Sequence, residues 1–71
     1  MKISVKIRFN ASKERFEDYG GNRYLIYLPF EEDEDSINVI VSMISKQVGV
    51  PPSKIHYVEK DAMGNWIFQL E

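Results

Sequence analysis

Apolar residues between Asp35 and Pro52 recur at the spacing of an amphipathic α-helix. They follow an i, i+3, i+4, i+7, i+11 pattern, which places them on one side of the helix. The members of this stripe are Ile37, Ile40, Val41, Ile44 and Val48. Because β-branched residues are weak helix formers, the helix must be held by packing its stripe against another layer, which we expect to be a sheet.

Local signals mark both ends of this helix. Asp35 or Ser36 can cap the first turn with a side-chain oxygen, and the acidic residues before them face the positive end of the helix dipole. Gly49 suits the left-handed residue beyond the last turn, and Pro51 and Pro52 prevent the helix from continuing. The chain therefore predicts one helix that is closed on both sides.

A period of two in hydrophobicity predicts strands before and after the helix. The four predicted strands cover about residues 2–9, Arg23 to Leu28, Ile55 to Lys60 and Asn65 to Leu70. The residues predicted to face inward include Ile3, Val5, Ile7, Phe9, Tyr24, Ile26, Leu28, Trp66, Phe68 and Leu70. The polar stretch from Asn10 to Asp18 is predicted to be a long connection, and Gly20-Gly21-Asn22 after it predicts a turn.

The element order β-β-α-β-β with a single helix predicts a two-layer α/β (α+β) domain. A right-handed crossover through the helix leaves room for the first and last strands between the other two. We therefore expect a mixed four-stranded sheet in the order 2-1-4-3, which is the β-grasp arrangement. A ferredoxin-like fold would need a second amphipathic helix, which the sequence lacks. At 71 residues, the chain has room for one domain, residues 1–71.

Composition narrows the class of protein further. An apolar fraction of 44% favours a folded chain over a disordered one. Cysteine is absent, which excludes disulfides and thiolate metal sites. The longest apolar run, Tyr24 to Phe30, is too short to span a bilayer, and no leader-like stretch is present. We therefore expect a cytoplasmic protein without a membrane partner.

Charge is unevenly distributed, although the formal net charge is only −2. Residues 1–30 contain six Lys or Arg and three acids, residues 31–35 contain five acids, and residues 36–71 contain three of each. The part of the chain that contains the first two predicted strands is therefore basic, and the segment just before the N-terminus of the helix is acidic. This distribution does not fit a strongly basic nucleic-acid binder, but it leaves room for a local basic patch.

The first strand and the helix resemble ubiquitin-like proteins. The matching residues are Met1-Lys2-Ile3-Ser4-Val5-Lys6, Asp35-Ser36-Ile37, Ile40, Ile44 and Gly49-Val50-Pro51-Pro52. This resemblance implies a β-grasp fold whose open sheet face is available to protein partners.

A longer part of the chain is similar to the YggU-like family of small bacterial and archaeal proteins of unknown function. The matching residues are Val5-Lys6-Ile7-Arg8-Phe9-Asn10-Ala11-Ser12-Lys13, Gly20-Gly21-Asn22-Arg23, Gly49-Val50-Pro51, Ile55 and Val58. The resemblance implies a β-β-α-β-β core. Residues 32–36 read Glu-Asp-Glu-Asp-Ser where that family has a Gly-Lys-Ala-Asn-type segment, and Asp61 to Asn65 stands where it has a basic hairpin. Both differences weaken any nucleic-acid role transferred from the family.

No residue set has the pattern of a catalytic or cofactor site. His56 is the only histidine, and its predicted place on a wet strand face is that of an ordinary surface residue. Gly20-Gly21 is not followed by a helix, so it is a turn rather than a phosphate cradle. The acidic run from Glu31 to Asp35 lacks the spaced ligands of a calcium loop. We therefore expect no enzyme activity, no cofactor and no metal.

The sheet face opposite the helix is the strongest candidate for function. One helix covers one side of a sheet, so apolar residues on the other side need an explanation. The candidate partner-binding residues are Lys6, Arg8, Leu25, Tyr27, His56, Val58, Ile67 and Gln69. They predict a non-catalytic module that binds a protein partner or forms a homodimer through this face. The competing interpretation is that the apolar members are scattered surface residues, which are common.

Weak RNA binding by the first strand and its following loop is the alternative function. The residues that would contact nucleic acid are Lys2, Lys6, Arg8, Lys13 and Arg15, with Tyr27 available for stacking. Such binding would be sensitive to salt. An enzyme would need a polar concave pocket, which the sequence does not reveal.

Overall fold

One α-helix packs on one side of a five-stranded sheet in the computed structural model, which describes residues 1–71. The elements are β1 (Lys2–Arg8), β2 (Arg15–Gly20), β3 (Arg23–Tyr27), α1 (Ser36–Val48), β4 (Ile55–Lys60) and β5 (Trp66–Leu70). A short 3-10 turn, Pro52–Lys54, joins α1 to β4. The predicted α+β class with one helix is confirmed. α1 is not long and apolar enough to cross a membrane.

The sheet has the order β2-β3-β1-β5-β4, with β1 in the centre. β1 pairs in parallel with β3 and antiparallel with β5, so the sheet is mixed, as expected. The prediction of four strands in the order 2-1-4-3 was wrong in strand number, because a fifth strand, β2, lies outside β3. The four predicted strands correspond to β3, β1, β5 and β4.

β2 forms from residues that the sequence predicts as a loop. Its only large inward side chain is Phe16, which lies opposite Ile26 and has its ring centre 5.2 Å from that of Tyr24. An edge strand with one buried side chain gives almost no period-two signal, which is why the pattern missed it. β2 also reverses the chain once between β1 and β3, and those two strands therefore run parallel.

The turn between β2 and β3 was predicted correctly. Gly21 and Asn22 have φ angles of 60° and 61°. A two-residue hairpin turn of type I′ requires positive φ at both central positions, and glycine and asparagine tolerate this conformation best. The turn places Arg23 at the start of β3, next to Ser4 on β1.

The core lies between α1 and the side of the sheet that faces it. It combines the helical stripe with alternate residues from four strands, so the predicted inward positions of Trp66, Phe68 and Leu70 are confirmed. Trp66, the only tryptophan, is 5% exposed. The buried members of the core are Ile3, Val5, Ile26, Leu28, Ile40, Ile44, Ile55, Trp66, Phe68 and Leu70.

The start of α1 is held by a different contact from the predicted cap. Asp35 occupies the N-cap position but makes no side-chain cap. Ser36 is 1% exposed, and its Oγ accepts a hydrogen bond of 2.8 Å from the backbone N–H of Asp33. The predicted cap was wrong because Ser36 is already the first helical residue, from which its hydroxyl reaches back to the loop. At the other end, Gly49 has φ 75° and its N–H donates to Ser45, as predicted.

One ion pair attaches the acidic loop, residues 31–35, to β4. Lys60 Nζ lies 3.0 Å from Glu32 Oε2 and 4.6 Å from the centre of the Trp66 ring. The Lys60 amine therefore bridges the loop and the rim of the core.

No group of three or more His, Asp or Glu side chains is arranged to hold a metal ion.

We predict that Ser36→Ala lowers the free energy of unfolding by about 1 kcal/mol, because the partly buried N–H of Asp33 loses its acceptor. Urea denaturation followed by Trp66 fluorescence measures the change. Ser42→Ala, on the exposed side of α1, is the matched control and should shift the value by less than about 0.5 kcal/mol. Equal effects of the two substitutions would contradict the contact assigned to Ser36.

Candidate interaction surface on the open face

The side of the sheet opposite α1 is uncovered, and we call it the open face. Seven of the eight predicted residues occupy paired positions on it, namely Lys6, Arg8, Leu25, Tyr27, His56, Ile67 and Gln69. Val58 is the exception, because a β-bulge between Tyr57 and Glu59 leaves it unpaired. The bulge puts Glu59 opposite Ile67. The open face therefore contains an acidic residue of β4 that is not among the predicted residues.

Leu25 is not accessible to a partner, although it lies on the open face. It is 7% exposed, because Lys6 on β1 and Glu17 on β2 flank it on either side. The sequence predicts Leu25 as a contact residue, but its burial leaves little of the side chain for a partner to touch, since it is flanked by β2, which was not among the predicted strands. Tyr27 and Ile67 are only half-exposed. The apolar area that the open face offers is therefore smaller than predicted.

Contacts within the chain occupy the part of the open face formed by β5 and β4. The Nε2 atom of His56 pairs with the carboxylate of Glu71. Gln69 Nε2 donates to the carbonyl oxygens of Met1 and Leu70 at 3.3 Å and 3.2 Å. His56 and Gln69 therefore bind the two ends of the chain, which was not predicted.

The central strand carries a row of free cations. Lys2, Lys6 and Arg8 alternate with inward residues of β1, and we call these three residues the cationic stripe. All three are exposed, and none forms a salt bridge or a side-chain hydrogen bond. Alternate residues of a strand lie about 7 Å apart, so Lys6 and Arg8 are close neighbours, whereas Lys2 lies about 14 Å from Lys6 with Ser4 between them.

Arg15, which was predicted as a nucleic-acid contact, is neutralised by Glu17. Its Nη2 atom lies 2.6 Å from Glu17 Oε2, and its guanidinium lies 5.6 Å from the centre of the Tyr27 ring. The Tyr19 hydroxyl donates to the other Glu17 oxygen at 2.8 Å, and this hydrogen bond raises the pKa of Tyr19 above its ordinary value. Lys13 lies in the loop between β1 and β2, outside the sheet. Of the five cations predicted to contact nucleic acid, only the three residues of the cationic stripe therefore lie unpaired on the open face.

A shallow recess of about 210 Å³ adjoins the cationic stripe. The residues that shape it include Ser4, Lys6, Tyr19, Arg23, Leu25 and Asn65. Lys6 and Arg23 bring two positive charges to this recess. The only hydrogen bond of the Arg23 side chain is a long one, in which Nε donates to the carbonyl oxygen of Gly20 at 3.5 Å. Sequence analysis missed Arg23 and Tyr19, because the parallel register of β1 with β3 and the existence of β2 were both needed to place them here.

A second recess, of about 400 Å³, lies on the other side of the molecule, between the exposed side of α1 and Glu14. Its charged lining residues are Glu14 and Lys46, which form no ion pair with each other. None of the predicted site residues lines it.

No protein-family model matches this chain, and neither a curated protein nor a solved structure matches it. The resemblances to ubiquitin-like and YggU-like proteins therefore stay predictions. What the protein does has to be inferred from the geometry and charge of the open face.

We predict that Leu25→Ala lowers the free energy of unfolding by about 2 kcal/mol, because it leaves a cavity beneath Lys6 and Glu17. Val58→Ala in β4 is the control, since Val58 is 44% exposed and its truncation should cost about 0.5 kcal/mol or less. Urea denaturation of both variants provides the comparison. A cost for Leu25→Ala no larger than that for Val58→Ala would show that Leu25 is an ordinary surface residue.

Proposed function

We propose that this domain is a non-catalytic interaction module whose open face binds an acidic segment of a partner protein. The observation that supports this function is the cationic stripe, which is free of acidic partners in a chain with a net charge of −2. Lys6 and Arg8 are adjacent on this face of β1 and have no acidic partner within the chain, so an anionic segment would supply the missing opposite charge. A local positive surface also steers acidic partners towards the correct face.

The strand geometry defines the kind of segment that fits. β1 has seven residues and is about 23 Å long, so an extended segment of similar length can reach all three cations. Tyr27 and Ile67 lie on either side of β1 and are half-exposed, so they provide limited apolar contact beside the charges. We therefore favour a segment in which acidic residues alternate with small or apolar ones.

A homodimer that paired two open faces symmetrically would place one cationic stripe against another. Since an interface between two identical surfaces is self-complementary only when charges alternate, this arrangement is disfavoured. A different protein is therefore a better partner for the open face than a second copy of the chain.

We predict that the double variant Lys6→Glu with Arg8→Glu weakens binding to an acidic peptide at least about tenfold, because it reverses two charges of the stripe. The probe is a fluorescein-labelled decapeptide of alternating Glu and Val, and fluorescence anisotropy measures its binding. Affinity should also fall as salt rises from about 0.05 M to about 0.5 M.

The matched control for this experiment is the double variant Lys46→Glu with Lys54→Glu. It makes the same change in net charge, but Lys46 is on α1 and Lys54 is in the 3-10 turn, both away from the stripe. If the control weakened binding as much as the stripe variant did, the attraction would come from net charge alone and the open face would not be the site.

Single-stranded RNA is a second candidate ligand of the same face. The exposed ring of Tyr19, which is 58% accessible beside the recess, favours it because base stacking on such a ring contributes about 1–3 kcal/mol. Arg15 and Tyr27, which the sequence predicts as nucleic-acid contacts, favour it less, since Arg15 is paired with Glu17 and its guanidinium lies over the Tyr27 ring. We therefore rank RNA below an acidic protein segment.

The RNA candidate predicts that Tyr19→Ala weakens binding of an octauridylate at least about fivefold at low salt, whereas Tyr19→Phe retains the affinity. The same substitution should leave binding of the Glu-Val peptide unchanged. Gel-shift titration of octauridylate with each variant measures the change in RNA affinity. Absence of any octauridylate binding at low salt would dispose of this candidate.

A further inference from the structure

We propose that the recess beside the cationic stripe binds the phosphate group of a phosphorylated side chain in the partner segment. This inference rests on the proposed function, because it takes the open face as the docking surface. It adds a ligand class for one defined place on that face, the recess between β1, β3 and the β2–β3 hairpin.

The charge of the recess matches a phosphate better than a carboxylate. Lys6 and Arg23 both line it, and neither is in a salt bridge. A phosphate monoester carries about −1.5 to −2 charges at pH 7, which compensates both cations, whereas a carboxylate would leave one uncompensated. The planar Arg23 guanidinium can donate two parallel hydrogen bonds to phosphate oxygens, and Lys6 acts as a flexible point charge.

The neutral groups of the recess are consistent with this ligand. Ser4 is half-buried, and its hydroxyl makes no hydrogen bond within the chain, so it is free to donate to an oxyanion. The Asn65 amide is already bonded to Asp61 at 3.2 Å. The exposed Tyr19 ring provides apolar surface for the carbon atoms next to the ester.

Two acidic groups near the recess, Glu17 and Asp61, are hydrogen-bonded within the chain. Glu17, which pairs with Leu25 across the ladder, accepts hydrogen bonds from Arg15 and Tyr19. Asp61 accepts from the backbone N–H groups of Asn65 and Met63, and the Asn65 bond in particular lowers the pKa of Asp61. The charge of Glu17 is therefore neutralised by Arg15, whereas Asp61 keeps its negative charge but directs its oxygens to N–H groups of its own loop.

The experiment compares three versions of one Glu-Val decapeptide that differ at a single central position, which is phosphoserine, glutamate or serine. Isothermal titration should show the phosphoserine version binding at least about tenfold tighter than the glutamate version, as expected for an additional charge-assisted pair. Arg23→Ala should abolish this preference, and Arg23→Lys should restore only part of it because the guanidinium fork is lost. Lys46→Ala, remote from the open face, is the matched control and should leave the preference intact.

The pH dependence of peptide binding provides an independent test of the phosphate site. The second pKa of a phosphate monoester is about 6, so the preference for phosphoserine over glutamate should shrink as the pH falls from about 7.5 to about 5.5. His56, the only histidine, does not line the recess, and His56→Gln should show the same pH dependence.

The possible outcomes separate this inference from the proposed function. Equal affinities for the phosphoserine and glutamate peptides, both lost with Lys6→Glu and Arg8→Glu, would overturn the phosphate site but leave the acidic docking surface intact. Failure of all three peptides to bind would overturn both. Binding of octauridylate alone, weakened by Arg23→Ala, would mean that the phosphate belongs to a nucleic acid, and this too would overturn the inference.

Discussion

The packing of the α1 stripe against one side of the sheet is the interaction on which the rest of this domain depends. Ile40 and Ile44 are fully buried there with residues from four strands, and no second layer exists to cover the other side. A chain of this size buries only about 60% of its unfolded surface, so nearly all of its hydrophobic stabilisation comes from this single core. The open face is a direct consequence, because thirteen helical residues can cover only one side.

β2 is the element that gives the open face its chemistry. It makes β1 the central strand, it covers Leu25, and it brings Tyr19 close to Lys6 and Arg23. Both edge strands contain a bulge or irregularity, in β2 between Asp18 and Gly20 and in β4 between Tyr57 and Glu59. Irregular edges resist pairing with another strand, so neither edge of this sheet is a regular template for adding a strand.

The charges of the domain are arranged by position. Two ion pairs, Glu32 with Lys60 and Arg15 with Glu17, lie at the periphery, as does the contact of His56 Nε2 with the Glu71 carboxylate. The centre of the open face has no such compensation, and the cationic stripe is left to solvent. Exposed ion pairs contribute little to stability, generally about 0–1 kcal/mol each, so the paired periphery adds little to the free energy of folding.

The sequence by itself determined the helix with its glycine end, the turn at Gly21 and Asn22, the inward set on β5 and the cations that point outward from β1. These features depend on local periodicity and on residues with special backbone preferences, which neighbouring residues along the chain suffice to reveal. Ser36, β2, the burial of Leu25 and the recess around Arg23 were decided only by the tertiary structure. Each of them depends on which strand lies beside which, and pairing between distant segments leaves little trace in the local pattern of an edge strand with one buried side chain.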